Sequence, residues 1–238
     1  MRTCSLSIAG LDTTIVRGET QAALTVVLLH GFSMRADDLV PFTHALRVPA
    51  TFLLPNGPLP VPAGGFAWWD VDAEVRAHSQ RLGPRDLASH RPEGRAEARR
   101  QLLAWLNGLP PMLRNRPLVL AGFSQGGMLL ADTLMMEQLA ADALALLSSS
   151  RIAMDDWRPR LSRLAGLPVF ISHGHADSDL AYAAGKELAE TLAGGGAAVT
   201  FVDFPGGHEI PLVVWRKFRS FLLRLCEIAP GRTGGISG

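Results

Sequence analysis

The chain has 238 residues, 47% of them hydrophobic and 19% charged, a balance that fits a globular protein with a substantial core and excludes a disordered one. Its 23 basic and 22 acidic residues give a net charge of +1, which leaves no electrostatic footprint for nucleic acid or an anionic membrane. The length suits one large α/β domain over residues 1–229 rather than two independent ones. Cys4 and Cys226 lie near opposite ends and read as free thiols in a reducing compartment, with one bridge between them as the alternative. No basic patch followed by a long apolar run opens the chain, and no window reaches the roughly 18 apolar residues of a membrane helix. These features predict a cytoplasmic protein without an integral membrane segment.

Residues 5–9 and 13–17 read as a leading hairpin that turns at Gly10-Leu11-Asp12. The continuous branched run 24–29 has the character of a strand buried on both faces. A short helix over 38–46 tolerates Pro41 because it falls in the first turn. The next strand, 51–54, ends at Pro55-Asn-Gly-Pro58. Residues 59–91 are rich in proline, glycine and arginine and read as an irregular mouth segment. A helix over 92–109 carries Ala96, Leu102, Leu103 and Leu106 on one side and arginines on the other. Then follow strand 117–121, helix 125–139, strands 142–148 and 167–172, helix 179–193, strand 198–204 and helix 210–225. The segment 230–238, with four glycines and nothing to bury, reads as a disordered tail. The alternation of strands and helices predicts a mostly parallel central sheet with helices on both faces, whose reactive groups gather at the carboxyl ends of the strands.

Strand 117–121 runs into Gly122-Phe-Ser-Gln-Gly126, followed by Gly127 and a helix. This is the G-x-S-x-G elbow in its proper setting, with a strand before and a helix after. The serine sits on a turn so tight that side chains two residues to either side would collide with strand or helix. A serine alone is a poor nucleophile and needs a base, which in turn needs an orienting acid. Strand 167–172 ends in His173-Gly-His-Ala-Asp177, which puts Asp177 just past a strand terminus. Strand 198–204 ends in Pro205-Gly-Gly-His208, which puts His208 in the following loop. Ser124, Asp177 and His208 thus follow in the order nucleophile, acid, base. Asp179, Asp203, Asp155 and Asp156 are competing carboxylates for the acid position.

His30 and His173 each precede a glycine at a strand end and are assigned to backbone hydrogen bonds, whereas His44, His78 and His90 read as solvated. The alternation His175, Asp177, Asp179 lacks the further ligand cluster that a metal site would need. Gly31 after the first buried strand permits a turn presenting the amide of Phe32, which with the amide of Gln125 would form an oxyanion hole. The run Gly194-Gly-Gly196 reads as a turn, because no Lys-Ser/Thr follows it. Trp68, Trp69 and Met34 are candidate pocket residues. The aromatic pair also reads as a loop anchor, and Met34 as core.

Taken in order, Leu29-His-Gly31, Leu54-Pro-Asn-Gly-Pro58, Phe66-Ala-Trp-Trp-Asp70, Gly122-Phe-Ser-Gln-Gly-Gly127, His173-Gly-His-Ala-Asp177 and Gly207-His208 resemble the phospholipase/carboxylesterase family of α/β-hydrolases, which includes acyl-protein thioesterases. The likeness spans about residues 24–225. It implies the α/β-hydrolase fold, a Ser124–Asp177–His208 triad, oxyanion amides from Phe32 and Gln125, and no cofactor or metal. The chain departs from the pattern at Leu147-Ser-Ser-Ser150 and at Phe32, where relatives carry smaller residues. The expected function is hydrolysis of small to medium apolar acyl esters through an acyl-enzyme, because the pocket segments offer no fixed charge pair. An acyl-protein thioesterase or lysophospholipase is the first alternative, and a non-catalytic hydrolase-fold binding protein the second. The substrate is thus expected to be a small-molecule ester or thioester. The apolar stripe Leu212, Val213, Trp215, Phe218, Leu222 would serve a core or a homodimer interface.

Overall fold

The computed structural model describes residues 2–18, 21–62 and 64–228. The expected tail over 230–238 lies outside the described residues. The strands are β1 (Arg2–Ile8), β2 (Leu11–Arg17), β3 (Leu24–Leu29), β4 (Ala50–Pro55), β5 (Leu59–Pro60), β6 (Phe66–Ala67), β7 (Leu118–Phe123), β8 (Ala143–Leu147), β9 (Pro168–Gly174) and β10 (Ala198–Phe204). The helices are α1 (Val40–Leu46), α2 (Ala73–Leu82), α3 (Arg95–Asn107), α4 (Pro111–Arg114), α5 (Gln125–Met136), α6 (Met154–Trp157), α7 (Tyr182–Gly194) and α8 (Leu212–Ile228), with 3₁₀ turns at Ala36–Leu39 and Arg158–Leu164.

Eight strands form one sheet in the order β1-β2-β4-β3-β7-β8-β9-β10. The leading hairpin and its pairing with β4 are antiparallel, and every later pairing is parallel. Strand β3 shows why both faces must be covered. Val27 and Leu29 enter one apolar core with α3, α5 and α7, while Leu24, Val26 and Leu28 enter a second with α1 and α8. The last-helix stripe divides accordingly: Val214, Trp215, Phe218, Phe221 and Leu222 are buried in that second core, and Leu212 and Val213 stay exposed. No helix among the described residues is long and apolar enough to cross a membrane. Cys4 is exposed on β1, Cys226 is half-buried on α8, and both are free.

Several boundaries differ from the sequence expectation for physical reasons. The hairpin turns at Ala9-Gly10, both at positive φ (46° and 82°), so Leu11 and Asp12 already belong to β2. Helix α3 starts at Arg95 rather than 92 because Gly94 takes a left-handed φ of 79° before it. Helix α7 starts at Tyr182 rather than 179, since the amides of Asp179 and Leu180 are drawn to the Asp177 carboxylate.

The largest correction concerns 59–91, which is not uniformly irregular. It contains the small hairpin β5–β6 and the ten-residue helix α2. The α2 segment is polar almost throughout and shows no apolar stripe to announce a helix. Its start is marked by Asp72, whose Oδ1 accepts the Glu74 amide at 2.9 Å, the geometry of an N-cap.

A buried ionic network ties α3 to α5. Asp132, fully buried, accepts Arg99 Nη1 at 2.5 Å and Trp157 Nε1 at 2.7 Å, and Arg99 Nε also donates to Glu137 at 2.9 Å. Removing one partner of such a pair strands the other charge in the core. The expected outcome for Asp132→Ala is a loss of about 3 kcal/mol in stability and a fall in Tm of roughly 10 °C, measured by thermal denaturation.

Candidate active site

Ser124 sits between β7 and α5 with φ 51° and ψ −117°, a conformation that L-residues rarely adopt. The surroundings enforce it. A Cβ on Gly122 would come within 2.5 Å of the Gly126 and Gly127 backbone, and one on Gly126 within 2.6 Å of the His30 carbonyl. Glycines are therefore needed on both sides for strand and helix to close on the serine. Ser149 Oγ donates to the Ser124 carbonyl at 3.1 Å, and the Ser124 amide donates to the Leu147 carbonyl at 2.9 Å.

The sheet brings the other two residues to this point. Strands β9 and β10 are parallel neighbours with His173 opposite Asp203 and Gly174 opposite Phe204, so their following loops emerge side by side. His208 Nε2 lies 2.9 Å from Ser124 Oγ, and its Nδ1 lies 2.8 Å from Asp177 Oδ2. The other Asp177 oxygen accepts the amides of Asp179 and Leu180 at 2.9 and 2.8 Å. His173 Nε2 approaches Oδ2 at 3.3 Å while bonding the Leu180 carbonyl at 3.0 Å. Burial opposes ionisation of Asp177, but the bonds from His173, His208 and the Leu180 amide outweigh it and hold the carboxyl well below its ordinary range. The acid therefore stays charged behind the imidazole.

The competing carboxylates go elsewhere. Asp203 pairs with His175 and Tyr182, Asp155 and Asp156 with Arg91, and Asp156 also with Arg95. Asp179 accepts both Arg76 and Arg85, and Gln80 at 3.0 Å. His44 and His78 are exposed, while His90 is exposed at the edge of the cleft over Ser124.

The amides of Phe32 and Gln125 donate to no protein acceptor among the described residues. Their turns are braced by the Gln125 side chain, a role the sequence did not reveal, and by His30 and Trp68, which act as the expected backbone-bonding histidine and loop anchor. The Gln125 side chain accepts the Trp68 amide and donates to the Trp69 carbonyl, both at 2.9 Å, and so clamps the 66–69 segment to the start of α5. His30 Nδ1 donates to the Gly31 carbonyl at 2.7 Å, its Nε2 accepts the Gly57 amide at 2.9 Å, and its carbonyl accepts the Trp68 indole N–H. Trp68 also stacks on the His30 ring.

Trp69 lines the cavity at Ser124, together with Phe32, Met128 and Leu180. Trp68 and Met34 do not, which corrects their expected place in the pocket. Trp68 is spent on His30, and Met34 pairs with Phe66 and packs on the α1/α8 core. A second correction is electrostatic: Arg76, Arg85 and Asp179 stand in the cavity wall, where no fixed charge pair was expected.

A profile of the phospholipase/carboxylesterase family matches residues 11–225. The chain belongs to the phospholipase/carboxylesterase family. Among solved structures, esterase PE8 is 22% identical, with 90% of this chain covering 98% of that one at a TM-score of 0.75. A carboxylesterase from Mesorhizobium loti is 21% identical over 93% of this chain and 98% of its own, at 0.73. Acyl-protein thioesterase 2 from Zea mays is 20% identical over 90% and 98%, at 0.68. These likenesses show that the fold is that of the α/β-hydrolases, and the family places the chain among hydrolases.

The His30 arrangement makes the family fold sensitive to acid. Burial pushes its pKa from 6.5 down to about 4, against the Gly31 bond and the Asp38 charge, which raise it. A proton on Nε2 would also face the Gly57 N–H. Between pH 6.5 and 4 the unfolded chain binds a proton that the folded chain does not, so stability falls as pH drops through this window, by about 3 kcal/mol. The depressed Asp177 and Asp179 act lower, below their unfolded value of 3.8. Urea unfolding of His30→Gln, which keeps one donor and one acceptor, is expected to lose most of the slope between pH 6.5 and 4 and to retain the loss below it. The remainder of the slope comes from His90, whose pKa burial also lowers.

Proposed function

We propose that the chain is a serine carboxylesterase that hydrolyses esters of short acyl groups through an acyl-enzyme. The observation that carries this reading is the continuous hydrogen-bonded line from Ser124 Oγ through His208 to the charged Asp177.

His208 Nε2 takes the Ser124 proton as Oγ attacks the acyl carbonyl, and Asp177 holds the Nδ1–H tautomer and balances the imidazolium that forms. In this reading the Phe32 and Gln125 amides, which donate to no described acceptor, bind the carbonyl oxygen as it becomes an oxyanion, and losing one such donor costs on the order of 10²–10³ in rate. His208 then gives its proton to the departing alcohol. Water repeats the sequence on the acyl-enzyme with His208 again as base, releasing the acid and restoring Ser124. The chemistry needs only these side chains and amides. The positive φ of Ser124 supports the reading, because it lifts Oγ clear of the sheet toward the imidazole.

Acyl size follows from the cavity. The space at Ser124 is about 60 Å³, walled by Trp69, Met128 and Leu180, against the 300–1,000 Å³ typical of drug-sized ligand sites. Short acyl groups fit the space at Ser124, whereas a longer chain would have to continue into an adjoining groove of about 620 Å³, with which the cavity shares Val71, Leu87 and Pro92. The narrow part at the serine favours an esterase of short acyl groups. In a series of p-nitrophenyl esters, kcat/KM is expected to be highest at acetyl or propionyl and to fall steadily toward octanoyl.

The decisive experiment compares wild type with Ser124→Ala, His208→Gln and Asp177→Asn on p-nitrophenyl acetate, with fluorophosphonate labelling in parallel. Ser124→Ala is expected to lose turnover and labelling together. The other two variants should drop kcat on the order of 10³–10⁴. A wild-type protein that neither turns over any ester nor takes the label would overturn the enzyme reading and favour a binding protein on the same fold.

A further inference from the structure

The charged groups in the cavity wall are unevenly matched. Arg76 on α2 and Arg85 in the loop after it converge on one carboxylate, Asp179, where a single arginine would already balance the charge. Asp179 is used up: one oxygen takes Arg76 and the other takes Arg85 and Gln80. Burial opposes its charge, but the two guanidiniums hold it below its ordinary range. Each guanidinium carries five N–H donors and gives Asp179 only one or two of them. Among the described residues, the wall that faces Ser124 thus holds two guanidiniums against one carboxylate.

The surplus is held in place. The Arg76 guanidinium lies over the ring of Phe32, 5.2 Å from its centroid, the residue whose amide the proposed mechanism assigns to the oxyanion. The Arg76 and Arg85 side chains are 26% and 18% exposed, enough for a ligand to reach and too little for bulk water to screen fully. Of the other acids, Asp177 is turned to His208 and the backbone, away from the cavity. Asp70, Asp72 and Glu93 line the adjoining groove of about 620 Å³ that Arg76 and Arg85 also border, but these three acids are exposed, where water and salt screen them more than the half-buried guanidiniums.

We propose that Arg76 and Arg85 form an anion subsite, and that the esterase prefers esters carrying a carboxylate within a few bonds of the scissile carbonyl. A substrate carboxylate brings the wall to two guanidiniums and two carboxylates and takes up the spare N–H donors. The carboxylate can belong to the acyl half or to the alcohol half. This inference rests on the serine-esterase reading.

The test measures kcat/KM of the full chain on two matched pairs, corrected for spontaneous hydrolysis. Monophenyl succinate against phenyl butyrate places the charge on the acyl half. Acetoxybenzoate, substituted at the 4-position, against phenyl acetate places it on the alcohol half. At low salt, at least one anionic ester is expected to exceed its neutral partner by about tenfold or more, and the pair that does so identifies the half. Arg76→Gln should bring that ratio down toward one, whereas Asp179→Asn should raise it, because it enlarges the surplus. Should Arg76→Gln fail to fold, the wild-type ratio must still shrink as salt rises from about 20 to about 500 mM. Ratios at or below one in both pairs, with phenyl acetate still cleaved in a Ser124-dependent manner, overturn the anion subsite and leave the esterase standing. Absence of all ester hydrolysis overturns both.

Discussion

The whole site depends on one backbone position. Ser124 is held at positive φ because β7 and α5 must join without an intervening loop, and the join closes only if glycines stand where a Cβ would strike backbone. That strain fixes the serine oxygen at the carboxyl edge of the sheet. It also sets the N-terminus of α5, where Gln125 lines the cleft. The other elements then have to meet this fixed point: His208 and Asp177 from the loops after β10 and β9, and the Phe32 turn from the end of β3.

Much of this was legible because it is local. The elbow glycines, the continuous apolar strands and the order serine, aspartate, histidine are each determined within a few residues, and a doubly covered parallel sheet leaves little freedom in how they assemble. What was not legible depends on partners distant in sequence. The α2 sequence shows no apolar stripe, and the described ties of Arg76 and Gln80 run to Asp179, about a hundred residues further on, and to the Phe32 ring. Trp68 and Trp69 are adjacent and chemically alike, yet one braces His30 and the other lines the cavity. Only the three-dimensional path of the 66–70 segment separates them. Gln125 offered a partial signal, since a buried amide beside a nucleophile must bond something, but its partners are backbone groups without a sequence signature.

Charge is accounted for at three buried positions. Asp177 and Asp132 are each satisfied by several donors, and burial favours the neutral form of His30. The guanidinium pair at Asp179 departs from this balance in the place where a substrate would arrive. A surface held with excess charge is costly unless something restores the balance, and such local exceptions tend to lie where a protein does its work.

The position of β10 has a further consequence. It is the last strand of the sheet, paired on one side only, and the loop that carries His208 leaves from its end. Edge strands open locally at a smaller free-energy cost than central ones. When β10 frays, the imidazole drifts from a serine that the central strand β7 still holds rigidly. Under the proposed serine mechanism, inactivation would then precede unfolding, the Ser124–His208 contact being lost while most of the sheet and both cores remain intact.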